Sequence, residues 1–167
     1  LFGFDGALMK YYVSSDDPVE KQKYLTNTYC WVLFFSSILL FFLILFKSGL
    51  SLYVIAGYDS DLIVKIALIL FFDALRAIHL LILRAENRAF NFTAILVLDI
   101  VLLTALNIYF VGFQSRGIEG IVQANFLSSV SVFIITFPII LKRFRFDLLS
   151  LSYWKRLKSF ALPLMPA

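Results

Sequence analysis

Six polar side chains stand inside strongly apolar runs: Lys65, Asp73, Arg76 and His79 in the stretch 62–83, and Asp99 and Asn107 in the stretch 92–111. A charge in hydrocarbon is expensive, so each such group is either paired or put to use. At 100° per residue, Lys65, Arg76 and His79 fall within about 60° of one another, and Asp73 lies about 60° beyond Arg76. One helix would thus carry a basic stripe with an acid on its flank, a stripe that must face other helices or a water-filled cavity. A guanidinium offers a planar fork of donors suited to carboxylate or phosphate. Two arrangements follow. Arg76 can pair with Asp99, with Asp73 as a second acid, or it can hold an anionic substrate that competes with those carboxylates, Asp73 or Asp99 then serving as coupling groups. His79 can hydrogen-bond within the bundle or change charge near neutral pH, and Lys65 can snorkel to nearby headgroups.

The elements that would position these groups follow from composition. The 167 residues are 61% hydrophobic and 16% charged, with a mean hydropathy of +0.89. Soluble domains run nearer ~45–50% apolar and ~25% charged, so too little polar side chain is present to cover a water-facing surface. A bilayer core about 30 Å thick needs ~20 apolar residues per helix, and four stretches qualify: 28–46, 62–83, 92–111 and 118–141. None has the polar face that a helix on a soluble surface requires. The fold class expected is an all-α, polytopic transmembrane helix bundle. The short 84–91 turn makes the second and third spans antiparallel neighbours. Arg76 then sits ~5 Å and Asp99 ~4 Å from their span centres, on the same side, at matching depth.

Charge placement sets the orientation. Eleven of the 15 Lys and Arg lie before the first span, between the second and third, or after the fourth, and only Lys47 and Arg116 lie on the other side. The positive-inside rule makes the richer side, and both ends of the chain, cytoplasmic; the net charge of +4 therefore reads as topology and not as a nucleic-acid surface. Asp17, Pro18 and Glu20 have the order of an N-cap, first helical residue and third-position acid, so a short helix should run straight into the first span. The 47–61 connection should lie at the interface. Gln123, Asn125, Ser128, Ser129 and Ser131 are expected to hydrogen-bond between helices, and Pro138 to bend the fourth span. One Cys (Cys30) and one His exclude a disulfide framework and a multi-Cys or multi-His metal centre. No nucleophile triad or phosphate loop is present. No enzyme activity, metal or cofactor is expected.

Both ends read as cut, residues 1–13 as the last turns of a preceding helix and 160–167 as the start of another. Residues 142–159 form a linker whose Phe146, Leu149, Tyr153 and Leu157 recur at helical spacing opposite Lys155, Arg156 and Lys158, a pattern for a helix on the headgroups. Four local runs then resemble one family. FGFDGALMKYY (2–12), LILRAENRAFNF (81–92), GIEGIVQANFLSSVSVFII (117–135) and KSFALPLMPA (158–167) are similar, in order and spacing, to the polysaccharide-biosynthesis flippases, the Wzx-type O-antigen and exopolysaccharide translocases of the multidrug/oligosaccharidyl-lipid/polysaccharide exporter superfamily. Lys10 stands where that family usually has Arg, and Ala161 where it usually has Gly.

The resemblance implies part of the N-terminal lobe of a two-lobed exporter, from the end of its second helix to the start of its seventh, with the second lobe lying beyond this chain. It implies translocation of a polyprenyl-diphosphate-linked oligosaccharide across the bacterial inner membrane, with lipid as surroundings and no nucleic-acid partner. Arg76, His79 and Lys10 would bind the anionic head group, and Asp73 and Asp99 would be its coupling or pairing acids. A drug or small-cation exporter of the same superfamily is the alternative, in which the two acids matter more. A membrane-embedded glycan polymerase or acyltransferase would need larger outer loops than 47–61 and 112–117.

Overall fold

The computed structural model describes residues 4–15, 17–54 and 60–149. The expected amphipathic linker helix beyond residue 149, the apolar 160–167 segment and the 55–59 part of the 47–61 connection lie outside the described residues. The helices are α1 (Phe4–Ser14), α2 (Pro18–Leu45), α3 (Lys47–Val54), α4 (Asp61–Ala85), α5 (Ala89–Asn107) and α6 (Gly117–Leu141). A π-helical turn, Ile108–Phe113, continues α5, and a single 3-10 turn, Phe146–Leu148, follows α6. No strand occurs among the described residues. Four helical stretches, Pro18–Leu45, Asp61–Ala85, Ala89–Phe113 and Gly117–Leu141, are long and apolar enough to cross a membrane, and each contains one expected span to within a residue. The chain is an all-α, multi-pass membrane bundle.

Local chemistry accounts for the boundaries. Asp17 is extended, its Oδ1 accepts the Val19 N–H at 2.9 Å, and Pro18 supplies the first helical residue. Glu20 accepts the Ser15 hydroxyl at 2.8 Å, fixing the α1–α2 corner. The expected short helix and first span are therefore one continuous α2. Between α4 and α5 the chain reverses through Glu86, Asn87 and Arg88: Asn87 takes φ 56°, and Arg88 N–H reaches back to the Leu83 carbonyl at 2.9 Å. Asn is among the few residues that enter this left-handed region readily.

Packing is uneven. The core joins Leu8 and Tyr12 of α1, Tyr24, Leu25, Tyr29 and Val32 of α2, Leu75, Ile78 and Ile82 of α4, and Ile140 of α6, all in the half of the bundle that contains the α4–α5 turn. Helix α4 is central, packed on α6, α2 and α5. On α6 the buried positions include Gly120, Ala124, Ser128, Val132, Thr136 and Ile140, every fourth residue, so one ridge of mostly small side chains allows close approach. Helix α6 continues through Pro138 to Leu141. Outside this core, α5 buries no residue and α2 buries none after Val32. Phe41 is 63% exposed, Phe90 85% and Phe113 81%; lipid is the medium that such a surface requires.

The end of the third span departs from a uniform α-helix. The Gln114 N–H bonds the Tyr109 carbonyl and the Arg116 N–H the Phe110 carbonyl, so the widened turn completes the reversal into α6 with backbone groups alone. Asn107 bonds back to the Leu103 carbonyl at 3.0 Å. Gly120 lies against this turn: a Cβ there would stand 3.1 Å from the Phe110 oxygen, and backbone cannot move aside as a side-chain tip can. Gly120→Val is expected to cost about 1–3 kcal/mol by overpacking, visible as earlier thermal unfolding in detergent, while Gly112→Ala, which meets only Ile108 Cγ2 at 4.0 Å, should be tolerated.

Candidate functional site within the span

Arg76 and Asp99 meet as their depths require. Arg76 Nη1 donates to Asp99 Oδ2 at 2.6 Å, and Ser128 Oγ of α6 donates to Asp99 Oδ1 at 2.9 Å. Asp73, one turn before Arg76, places Oδ1 3.3 Å from Nη2, an ion pair without hydrogen-bond geometry. The guanidinium is thus divided between two carboxylates, tightly on Nη1 and loosely on Nη2. Side-chain exposure follows the same order: 17% for Arg76, 23% for Asp99 and 39% for Asp73. Three helices contribute to one polar layer. With all three groups ionised, its formal charge is −1.

His79 lies elsewhere on α4. It is fully buried, its ring stacked between Tyr29 of α2 (centroids 5.7 Å apart) and Phe133 of α6 (5.5 Å). Nδ1 is 2.8 Å from Thr136 Oγ1, and that hydroxyl is directed at its own helix, to the Val132 and Phe133 carbonyls. The bond between His79 Nδ1 and Thr136 can run in either direction, according to the imidazole tautomer. Nε2 has no hydrogen-bond partner among the described residues. The 60° between Arg76 and His79, small on a helical wheel, is enough on a central helix to give one α5 and α6 as neighbours and the other α2 and α6.

Lys10 is exposed on α1, its Nζ 5.7 Å from the Tyr11 ring. Helices α1 and α4 run in parallel toward the end where Tyr12 meets Glu86, which sets Lys10 roughly 12 Å along the bundle axis from Arg76. Lys10, Arg76 and His79 therefore occupy three separate environments, while Asp73, Arg76 and Asp99 form one. Lys65 is half-buried near the start of α4, at the opposite end. Of the five polar residues expected to link helices through α6, Ser128 does so, whereas Asn125 bonds its own helix at the Ile121 carbonyl.

A second polar cluster, not anticipated from the sequence, closes the basic end. Arg143 Nε and Nη2 clasp Glu86 at 2.8 and 2.5 Å, Nη1 donates to the Ile139 carbonyl at 2.9 Å, and the Tyr12 hydroxyl donates to Glu86 Oε1 at 3.1 Å. Burial first, and then the Glu86 carboxylate, push the Tyr12 phenol up to about 12, with Arg143 opposing. The cluster borders a cleft of about 200 Å³ lined also by Pro18, Lys21, Gln22 and Leu25. The signal was present in outline: α4 and α6 both end on this side, one with a lone acid in RAENR and the other with KRFR. Counting those charges only for orientation hid their pairing. Comparison with protein-family models, with curated proteins and with solved structures finds no match to this chain.

Proposed function

We propose that the chain belongs to a transporter that moves a polyprenyl-diphosphate-linked oligosaccharide from the cytoplasmic to the outer leaflet of a bacterial inner membrane, with both ends of the chain on the cytoplasmic side. The observation that carries this reading is the intramembrane guanidinium of Arg76, whose Nη2 edge is held only by a 3.3 Å contact to the most exposed of its partners, Asp73. A phosphate oxygen can take that edge while Asp99 keeps Nη1, so substrate and Asp73 would alternate on one cation. The excess of Lys and Arg at the end bearing the α4–α5 turn supports the orientation. The resemblance of four sequence runs to polysaccharide flippases supports the substrate class. Transport is non-hydrolytic on this reading.

Arg76→Lys tests it, because lysine keeps the charge but has no second edge to offer. Expressed in the producing cell, the variant should reach the membrane at normal levels and reduce surface polysaccharide at least about tenfold; undiminished polysaccharide would remove Arg76 from the pathway. The formal charge of −1 on the Asp73–Arg76–Asp99 layer favours a second reading, export of a small organic cation. Under that reading Asp73→Asn abolishes efflux of cationic drugs and leaves surface polysaccharide unchanged.

A further inference from the structure

The two arginine clusters differ in how much of the guanidinium each one uses. Arg143 commits all three of its nitrogens: Nε and Nη2 together clasp Glu86, and Nη1 donates to the Ile139 carbonyl. Arg76 commits one. Its Nη1 donates to Asp99 Oδ2 at 2.6 Å, and among the described residues neither Nε nor Nη2 donates a hydrogen bond, Asp73 lying 3.3 Å from Nη2 without the geometry for one. The fork that holds a carboxylate in one cluster is therefore open in the other, although the Arg76 side chain is the more buried of the two. Polar groups at such burial find acceptors, so an open fork there calls for a ligand with two oxygens to offer.

Ser128 is what keeps Asp99 from closing it. Glu86 turns both carboxylate oxygens to Arg143, whereas Asp99 Oδ1 accepts from Ser128 Oγ at 2.9 Å and only Oδ2 is left for the guanidinium. A serine inside a helix ordinarily turns its hydroxyl to the carbonyl one turn back; Ser128 gives its single proton to the acid of another helix. Packing fixes that choice, for Ser128 is 2% exposed on the α6 ridge it shares with Gly120, Ala124 and Val132. We propose that Ser128 is a positioning residue of the anion site: by occupying Asp99 Oδ1 it holds the Arg76–Asp99 pair to a single bond and keeps the Nε–Nη2 fork open for two oxygens of one phosphoryl group. The inference rests on the transport reading of Arg76 and adds the mode of recognition. Two parallel donors match two oxygens on one phosphorus, and Asp73, the more exposed acid, moves aside. Without the serine, Oδ1 turns to Nη2 and the pair becomes bidentate, as the Glu86–Arg143 pair already is.

The probe is inorganic pyrophosphate, its affinity for the purified protein in detergent read from thermal unfolding over a concentration series. Ser128→Ala keeps the ridge small and should fold, yet it should weaken pyrophosphate binding at least about tenfold, the worth of one charge-assisted hydrogen bond. An asparagine side chain has one acceptor oxygen and cannot clasp two donors as a carboxylate does. In the Asp99→Asn background, Ser128→Ala should therefore change the affinity by less than about twofold, the limit of simple additivity. A serine that only filled space would have the same effect in both backgrounds. Equal losses in the two backgrounds, or undiminished affinity in Ser128→Ala, overturn the role of Ser128. Arg76→Lys separates that failure from failure of the site: binding lost in Arg76→Lys but kept in Ser128→Ala overturns the serine alone. Affinity unchanged by Arg76→Lys, or no binding by the wild type, overturns the open fork and this inference with it.

Discussion

Arg76→Ala is expected to destabilise the bundle by about 3–5 kcal/mol, the range for removing one partner of a buried ion pair. The loss exceeds that of a contact, because Asp99 is left within the span with the Ser128 hydroxyl at 2.9 Å and no paired cation among the described residues, and Asp73 loses the Arg76 guanidinium as well. Asp99→Ala should cost a similar amount by freeing the guanidinium. Replacing both by apolar residues of similar volume, Arg76→Met with Asp99→Leu, should recover most of the stability, because the cost lies in the unpaired charge and not in the absent pair. Thermal unfolding of the wild type, Arg76→Met, Asp99→Leu and the double variant in one detergent closes this cycle, and additive losses would show that the two residues are not coupled. The same double variant separates structure from the proposed transport: it should fold and reach the membrane yet support no surface polysaccharide, since the guanidinium edge proposed to take the phosphate is gone.

Breaking the Glu86–Arg143 clasp should be the next most damaging change. Glu86→Ala leaves Arg143 with only its bond to the Ile139 carbonyl and removes the acceptor of Tyr12, a loss of about 1–3 kcal/mol for a charge-assisted pair whose side chains are only 22% exposed. The charge swap Glu86→Arg/Arg143→Glu should recover only part of it, because arginine at position 86 gives the Tyr12 hydroxyl no acceptor. Full recovery by the swap would mean that Tyr12 plays no part. The clasp also sets an alkaline limit. Tyr12 is pushed up to about 12 in the folded chain against ~10 when unfolded, so its contribution is complete below about pH 10 and is lost as pH rises toward 12. In Glu86→Gln the carboxylate that raises this value is gone and the Arg143 charge that lowers it stays, so ultraviolet titration should show tyrosinate forming at lower pH.

The contrast between the two clusters shows what a linear sequence can specify. The Arg76–Asp99 contact was legible because two antiparallel helices joined by a short turn have a fixed relative depth, and depth is counted in residues. Ser128 as the third partner was not, since it depends on how α6 is rotated against α4 and α5. That rotation is set by the Gly120, Ala124 and Ser128 ridge, which is visible as small residues every fourth position only once the buried face is known. His79 and Arg76 look like one stripe on a wheel, but a central helix has neighbours on several sides, and 60° changes which neighbour is met. Glu86 and Arg143 were hidden for another reason: they lie at the ends of helices remote in sequence, where loop geometry decides who meets whom. The four spans themselves needed only length and composition, and the α2 start only its cap residues.

The early end of burial along α2 bears on how the molecule meets membranes of different thickness. Of the 28 residues of α2, the apolar part from Thr28 onward is ~27 Å long, close to a ~30 Å hydrocarbon core, and the buried residues of the helix all lie between Tyr24 and Val32. A thinner bilayer is therefore accommodated at the other end, where Phe41, Phe42 and Phe46 are more than half exposed, by tilting or bending of that part of the helix. Hydrophobic mismatch is absorbed there, at a cost of fractions of a kcal/mol per Å, and the Arg76–Asp99 layer keeps its geometry while the lipid around it changes.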